Sequence, residues 1–208
     1  KMDESGANDF RSLTFTNAKI LQNLNIDSSL IDSLVTFLFE NQEVYHLDLF
    51  PFIITDEDKY KRVEVFYQKY LDKVISKSEF TEHERKYHDF IKMLWLYNNV
   101  YVQINTDVKQ FKNSSYAKRN KRKWKKHKQF LYDIIGDFKE LYFVNSLEKL
   151  EVLLFLATRE ISPVLFYFDK FNVILYLDGC SGLLYHDKTF SHNDLINIVT
   201  MHHLYLLR

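Results

Sequence analysis

The sequence predicts an α+β protein, predominantly helical over its N-terminal ~160 residues and closed by a small antiparallel sheet of about three strands and a C-terminal helix. Three observations predict this class. Apolar residues recur at helical spacing through most of the first part of the chain. The stretch 162–187, "SPVLFYFDKFNVILYLDGCSGLLYHD", switches to β-branched and aromatic residues punctuated by turn residues. Only 4 Gly and 2 Pro occur in 208 residues, which disfavours a turn-rich sandwich and long linkers. The 46% hydrophobic and 16% aromatic content supplies ample core.

Residues 1–14 are polar and read as a frayed N-terminus. Lys1 before Met2 reads as a tag remnant, with the natural start at Met2. A short helix is expected over 15–24. "SSLIDSLVTFLFENQ" (28–42) carries Leu30, Leu34, Phe37 and Leu38 at helical spacing, with Ser28 or Ser29 as cap. Around Pro51, "HLDLFPFIIT" reads as extended. Thr55 and Asp58 resemble a capping box for a helix to about Ser78, with Val63, Phe66, Tyr67, Tyr70 and Val74 inward. Thr81 and Glu84 form a second box, opening a helix to about Asn98 with Tyr87, Phe90, Ile91, Leu94 and Leu96 or Tyr97 inward. "VYVQI" (100–104) alternates and reads as a short strand or as more helix.

A long helix is expected over 115–143, its stripe being Trp124, Leu131, Ile134, Ile135, Phe138 and Leu141. Asn145 with Glu148 opens the next, to about Glu160. Strands at 163–168, 171–177 and 182–186 are expected to form a meander; "VLFYF" and "VILYL" are so apolar that both sheet faces are expected to be covered, by helices or by a partner, the alternative being an exposed Tyr/Phe surface for a partner. Ser191 or Asn193 caps a helix over 192–203, and "LYLL" suits a last strand. The organisation expected is a helical region, 15–160, and a meander-plus-helix unit, 161–208, packed as one domain.

Net charge is zero, yet unevenly spread. Eight of the eleven residues 118–128 are basic, leaving 20 basic residues against 28 acids elsewhere, a net −8. The basic residues are Lys118, Arg119, Lys121, Arg122, Lys123, Lys125, Lys126 and Lys128, with Trp124 among them. On a helix they would crowd the positive end of the macrodipole, and like charges four apart cost ~0.2–0.5 kcal/mol per pair. Spread around the whole helical wheel, they predict a segment that projects from the body and meets an external anion. Four readings fit: a solvated face neutralised by the chain's own acids, a nucleic-acid contact, a contact with an acidic protein surface, or an anionic membrane or targeting contact. The acidic remainder argues against a long polyanion.

Catalytic patterns are sparse. "RKWKKH" spaces Arg122 and His127 in a way that resembles the R-x4–6-H motif of the HEPN family, helical proteins that include ribonucleases. The resemblance covers that hexapeptide, with Lys123 where the family often has a polar residue. It implies RNA-backbone cleavage by Arg122 and His127 in a dimer cleft. His202-His203, and His83 with His88, miss the i,i+4 spacing of a helical metal pair. "DGCSG" (178–182) offers Cys180 or Ser181 as nucleophile, but a glycine turn explains the same letters. Asp169, Asp178 and Asp187 lack the Glu-x-Lys that a metal-nuclease strand would add. No cofactor or metal is expected. The lone cysteine and the lack of a long apolar run suggest a cytoplasmic chain. The expected function is therefore a non-catalytic binding protein that docks a macromolecular partner, a protein with an acidic surface or a nucleic acid, through the basic helix and a neighbouring aromatic surface, with an inhibitor of immunity or antitoxin type as its concrete form. The alternative is an RNA- or DNA-binding protein, for which the resemblance implies a HEPN-like ribonuclease using Arg122 and His127.

Overall fold

Strands, not helices, organise the molecule. The computed structural model describes residues 14–27, 33–104, 106, 109, 111, 118, 121–135 and 140–208; the side chains of 14, 62 and 121–124 lie outside that description. Among the described residues the strands are β1 (Thr14–Thr16), β2 (Tyr45–Asp48), β3 (Val100–Ile104), β4 (Glu140–Phe143), β5 (Val164–Phe168), β6 (Val173–Leu177), β7 (Gly182–His186) and β8 (Tyr205–Leu207). The helices are α1 (Asn17–Asn23), α2 (Leu34–Glu40), α3 (Glu57–Val63), α4 (Tyr67–Leu71), α5 (Lys77–Tyr97), α6 (Lys121–Ile134), α7 (Leu147–Thr158) and α8 (His192–Met201).

All eight strands join one antiparallel sheet in the order β1-β4-β3-β5-β6-β7-β2-β8. This corrects the expected helical region followed by a three-stranded sheet. The meander is present as β5–β7, but helices and strands alternate along the chain, and five further strands flank it. The five are three to five residues long, too short for a local pattern to mark, and most pair with segments far away in sequence.

Strand alternation separates two cores. Val100, Val102 and Ile104 of β3 share a face with Val164, Phe166 and Phe168 of β5 and Val173, Leu175 and Leu177 of β6. On this face α5, α6, α7 and α8 pack, through Phe90, Leu131, Leu153 and Leu195 among others. The opposite face presents Tyr101, Leu165, Tyr167, Ile174 and Tyr185 to Ile20 and Leu21 of α1 and to Leu34, Phe37 and Leu38 of α2. Both faces are covered, so the β5–β6 aromatics form core and supply no exposed aromatic surface. Apolar nearly all round, α7 lies between the sheet and α5, which explains why it lacks a clear polar side.

Several boundaries move. Residues 1–13 and 28–32, with Leu30 and both expected serine caps, lie outside the described residues. The cap of α2 is Ser33, whose Oγ accepts from Thr36 N. The single helix expected from 55 to 78 is two, α3 and α4, broken at 64–66 where Val65 turns inward to the core. Val63, Phe66 and Val74, expected inward, are exposed, and the cap is Asp56 instead of Thr55. Helix α5 starts one turn early, with Ser76 accepting from Glu79 N, so the Thr81–Glu84 pair is mid-helix. Leu96 and Tyr97 are exposed. The helix expected through 143 ends at Ile134: Leu141 lies in β4, where pairing with β1 and β3 overrides the helical stripe. Gly136 and Phe138 lie outside the described residues. The α7 cap is Ser146, one residue after the expected Asn145.

Candidate functional site

The basic segment is displayed by the geometry of α6. Its C-terminal half is pinned: Leu131 and Ile134 are buried on the sheet, and Ile135 bridges Ile104. Its N-terminal half carries the charge. Lys125, Lys126 and Lys128 are exposed, as is Lys118 upstream. The side chains of Lys121, Arg122, Lys123 and Trp124, and all of Arg119, lie outside the described residues. Lys126 Nζ reaches Glu148 at 2.7 Å, a mutually exposed pair at the start of α7. That contact and the nearby His127 hold the Glu148 carboxyl below its usual range, the hydrogen bond from Lys126 being the larger cause. Exposed pairs of this kind contribute little to stability. Lys128 Nζ lies 5.5 Å from the Tyr132 ring centre. Among the described residues no ion pair joins Lys118, Lys125 or Lys128 to a carboxylate. Among the described residues of the segment, Lys126 is the lysine that the chain's own acids pair.

The exposed aromatic surface is elsewhere. Phe52, Ile53, Tyr60, Val63 and Phe66 are exposed on the 52–66 stretch, which leaves the sheet at β2. Three strands, β5, β6 and β7, separate β2 from β3, the strand under α6, so this surface is not the neighbour of the basic helix that the sequence suggested. It rims a recess of about 50 Å³ beside Asp48, Glu64 and Cys180. Ligand pockets typically measure ~300–1,000 Å³, so this recess has room for little more than a water. Cys180 at its base is 8% exposed, and burial pushes its thiol far up, opposite to what a nucleophile needs.

A polar network that the sequence did not reveal joins α5 to the end of α7. Glu84 receives Arg159 Nε on Oε1 at 2.8 Å and Arg159 Nη2 on Oε2 at 3.0 Å. Thr158 Oγ1 lies 2.9 Å from Glu84 Oε1 and 2.8 Å from the Leu154 carbonyl, with one hydroxyl proton to give to either acceptor. His88 Nε2, 3.3 Å from the same hydroxyl, then acts as donor. Burial lowers the His88 pKa to about 4, with Glu84 opposing the shift. Glu84 is only 4% exposed, while Arg159 reaches the surface, and their pairing clamps α5 to the end of α7. Its one signal was an acid at position 84, which the sequence reading used as a cap.

His202 and His203 end α8, and His202 Nε2 approaches Met93 Sδ. Among the described residues no three His, Cys, Asp or Glu side chains converge as a metal site would require. No described helix is long and apolar enough to cross a membrane. The HEPN resemblance implies a helical protein, and the eight-stranded sheet departs from that.

The chain thus belongs to the α+β class: one mixed-length antiparallel sheet covered by helices on both faces. No family model matches it, and neither a curated protein nor a solved structure does.

Proposed function

We propose that this chain is a non-catalytic binding protein that docks an acidic protein surface with the basic end of α6. One observation supports this most: Lys125 and Lys128 of α6, and Lys118 upstream of it, are exposed with no carboxylate paired to them among the described residues, and the other end of α6 is fixed in the core. A cationic helix end continuous with a packed half presents a positive field at less entropy loss than a free tail. The rest of the molecule, at net −8, would repel an extended polyanion but tolerates a local acidic patch. The concrete form of this reading is a cytoplasmic inhibitor of immunity or antitoxin type that blocks its partner sterically.

The test is capture of partners from native extract by the wild-type chain and by a Lys118→Glu, Lys125→Glu, Lys128→Glu variant, with and without nuclease. Loss of a nuclease-resistant protein partner, with the melting curve intact, supports the reading. Nuclease-sensitive capture, with RNA affinity falling steeply as salt rises, replaces it with the nucleic-acid alternative.

A further inference from the structure

Remote from the basic helix, two histidines meet head to head at the other rim of the sheet. His186 ends β7, and His192 opens α8. His186 Nδ1 lies 2.8 Å from the Asp187 carbonyl oxygen. A carbonyl has no proton to give, so Nδ1 carries the N–H and donates. His186 Nε2 in turn lies 3.1 Å from His192 Nδ1. The rings are 8° from parallel with centres 5.3 Å apart, so the two nitrogens face each other close to both ring planes. Tyr45 of β2 stacks on both rings, at 5.8 Å and 5.0 Å. The Arg208 guanidinium, just past β8, sits 4.8 Å from the Tyr45 ring centre.

We propose that His186 and His192 form an acid-sensitive latch, which holds the start of α8 and the outer β2–β8 edge closed and releases them when both imidazoles are protonated.

Proton counting gives the mechanism. With no extra proton, His192 Nδ1–H donates to the lone pair of His186 Nε2. With one, the contact persists as a shared cation, strengthened by its charge. With two, both facing nitrogens carry hydrogen, neither can accept, and two positive charges stand about one contact distance apart. The surroundings favour release. Arg208 adds positive charge from the β8 side, and the positive end of the α8 dipole lies at His192. The Asp187 carboxylate is committed to Thr189 N, Thr189 Oγ1 and Asn172 Nδ2. Asp194 is the acid in the first turn of α8, and Lys188 is exposed in the turn before it. His46 is on the opposite face of β2 from Tyr45.

The His192 pKa is lowered, by desolvation first and then by His186 and Arg208. A histidine whose closed-state pKa lies below its ordinary value holds its contact above about pH 6.5 and loses it as pH falls. Once released, β8 has lost one of its supports, and three of its residues are all that cover the outer backbone edge of β2. An uncovered edge is a template for an added strand.

The test is amide hydrogen exchange of the full chain at about pH 7.5 and 5, corrected for intrinsic rates and expressed relative to β6 as an internal control. The latch predicts a rise of about tenfold in relative exchange over 194–199 and 205–207 on acidification, and no such rise in His186→Gln or His192→Gln chains. An equal acid response in the Gln variants, or a flat ratio in the wild type, overturns it. Ring-proton titration of the wild type needs no variant: coupled two-step curves for His186 and His192 are expected, and independent single steps overturn the proposal.

Discussion

Replacing Arg159 with Met should cost about 3–5 kcal/mol of folding stability, because a buried charge loses its counter-charge while its surroundings remain closed. Glu84 is 4% exposed and receives two guanidinium bonds, at 2.8 and 3.0 Å. After the change its carboxylate keeps Thr158 alone, at 2.9 Å, and that hydroxyl also leans on the Leu154 carbonyl. Methionine fills the aliphatic volume beside Phe155 and Tyr67, on which the guanidinium rests at 4.5 and 5.7 Å, so the loss reflects charge more than packing. A domain of this size has a net stability of ~5–15 kcal/mol, so the loss would be plain in urea unfolding followed by circular dichroism. Adding Glu84→Met should recover most of it, since apolar replacement of both members of a buried pair is often near neutral. If Arg159→Met stays within about 1 kcal/mol of wild type, or if the double variant is as unstable as the two singles combined, the clamp is not an ion pair in the energetic sense.

Three further outcomes follow from the same physics. The His88 pKa of about 4 lies below the ordinary 6.5, so the unfolded chain binds more protons between these values and stability falls with pH across that window. The loss should approach about 3 kcal/mol by pH 4, read from urea midpoints, and should be absent in His88→Gln. The Cys180 thiol, buried and pushed up, should react with a disulfide reagent only as fast as the chain unfolds; rapid labelling of the native protein would contradict its burial. Lys125→Glu puts an acid four residues after Lys121 in sequence, where like charges now stand, and in the N-terminal half of α6, so it should raise stability by about 0.5 kcal/mol in low-salt melts and weaken partner capture.

Where a pattern is local, the chain announces itself. "VLFYF" and "VILYL" needed cover on two sides, which α7 and the α1–α2 pair supply, while "VYVQI", open to strand or helix from its letters, is β3 through its pairing with β4 and β5. Where two periodicities agree, it misleads. Leu141 fits both the stripe begun at Leu131 and the strand "ELYF", and only pairing with β1 and β3 decides. Two serine- or threonine-led boxes lie five residues apart at 76–79 and 81–84, and the earlier one starts the helix. The candidate interface was legible as charge, since cations need no folding to be counted. Its separation from the exposed aromatics was not, because the distance between α6 and the 52–66 stretch exists only once eight strands are ordered. Glu84 and Arg159 stand 75 residues apart, beyond any local window.

The sheet's rims belong to its two smallest strands, β1 and β8, three residues each. So short a border offers a neighbouring molecule few unpaired amides and carbonyls, and an eight-stranded ribbon is thereby kept from growing sideways. Lengthening either rim by a few β-branched residues should turn a self-limiting sheet into one that polymerises.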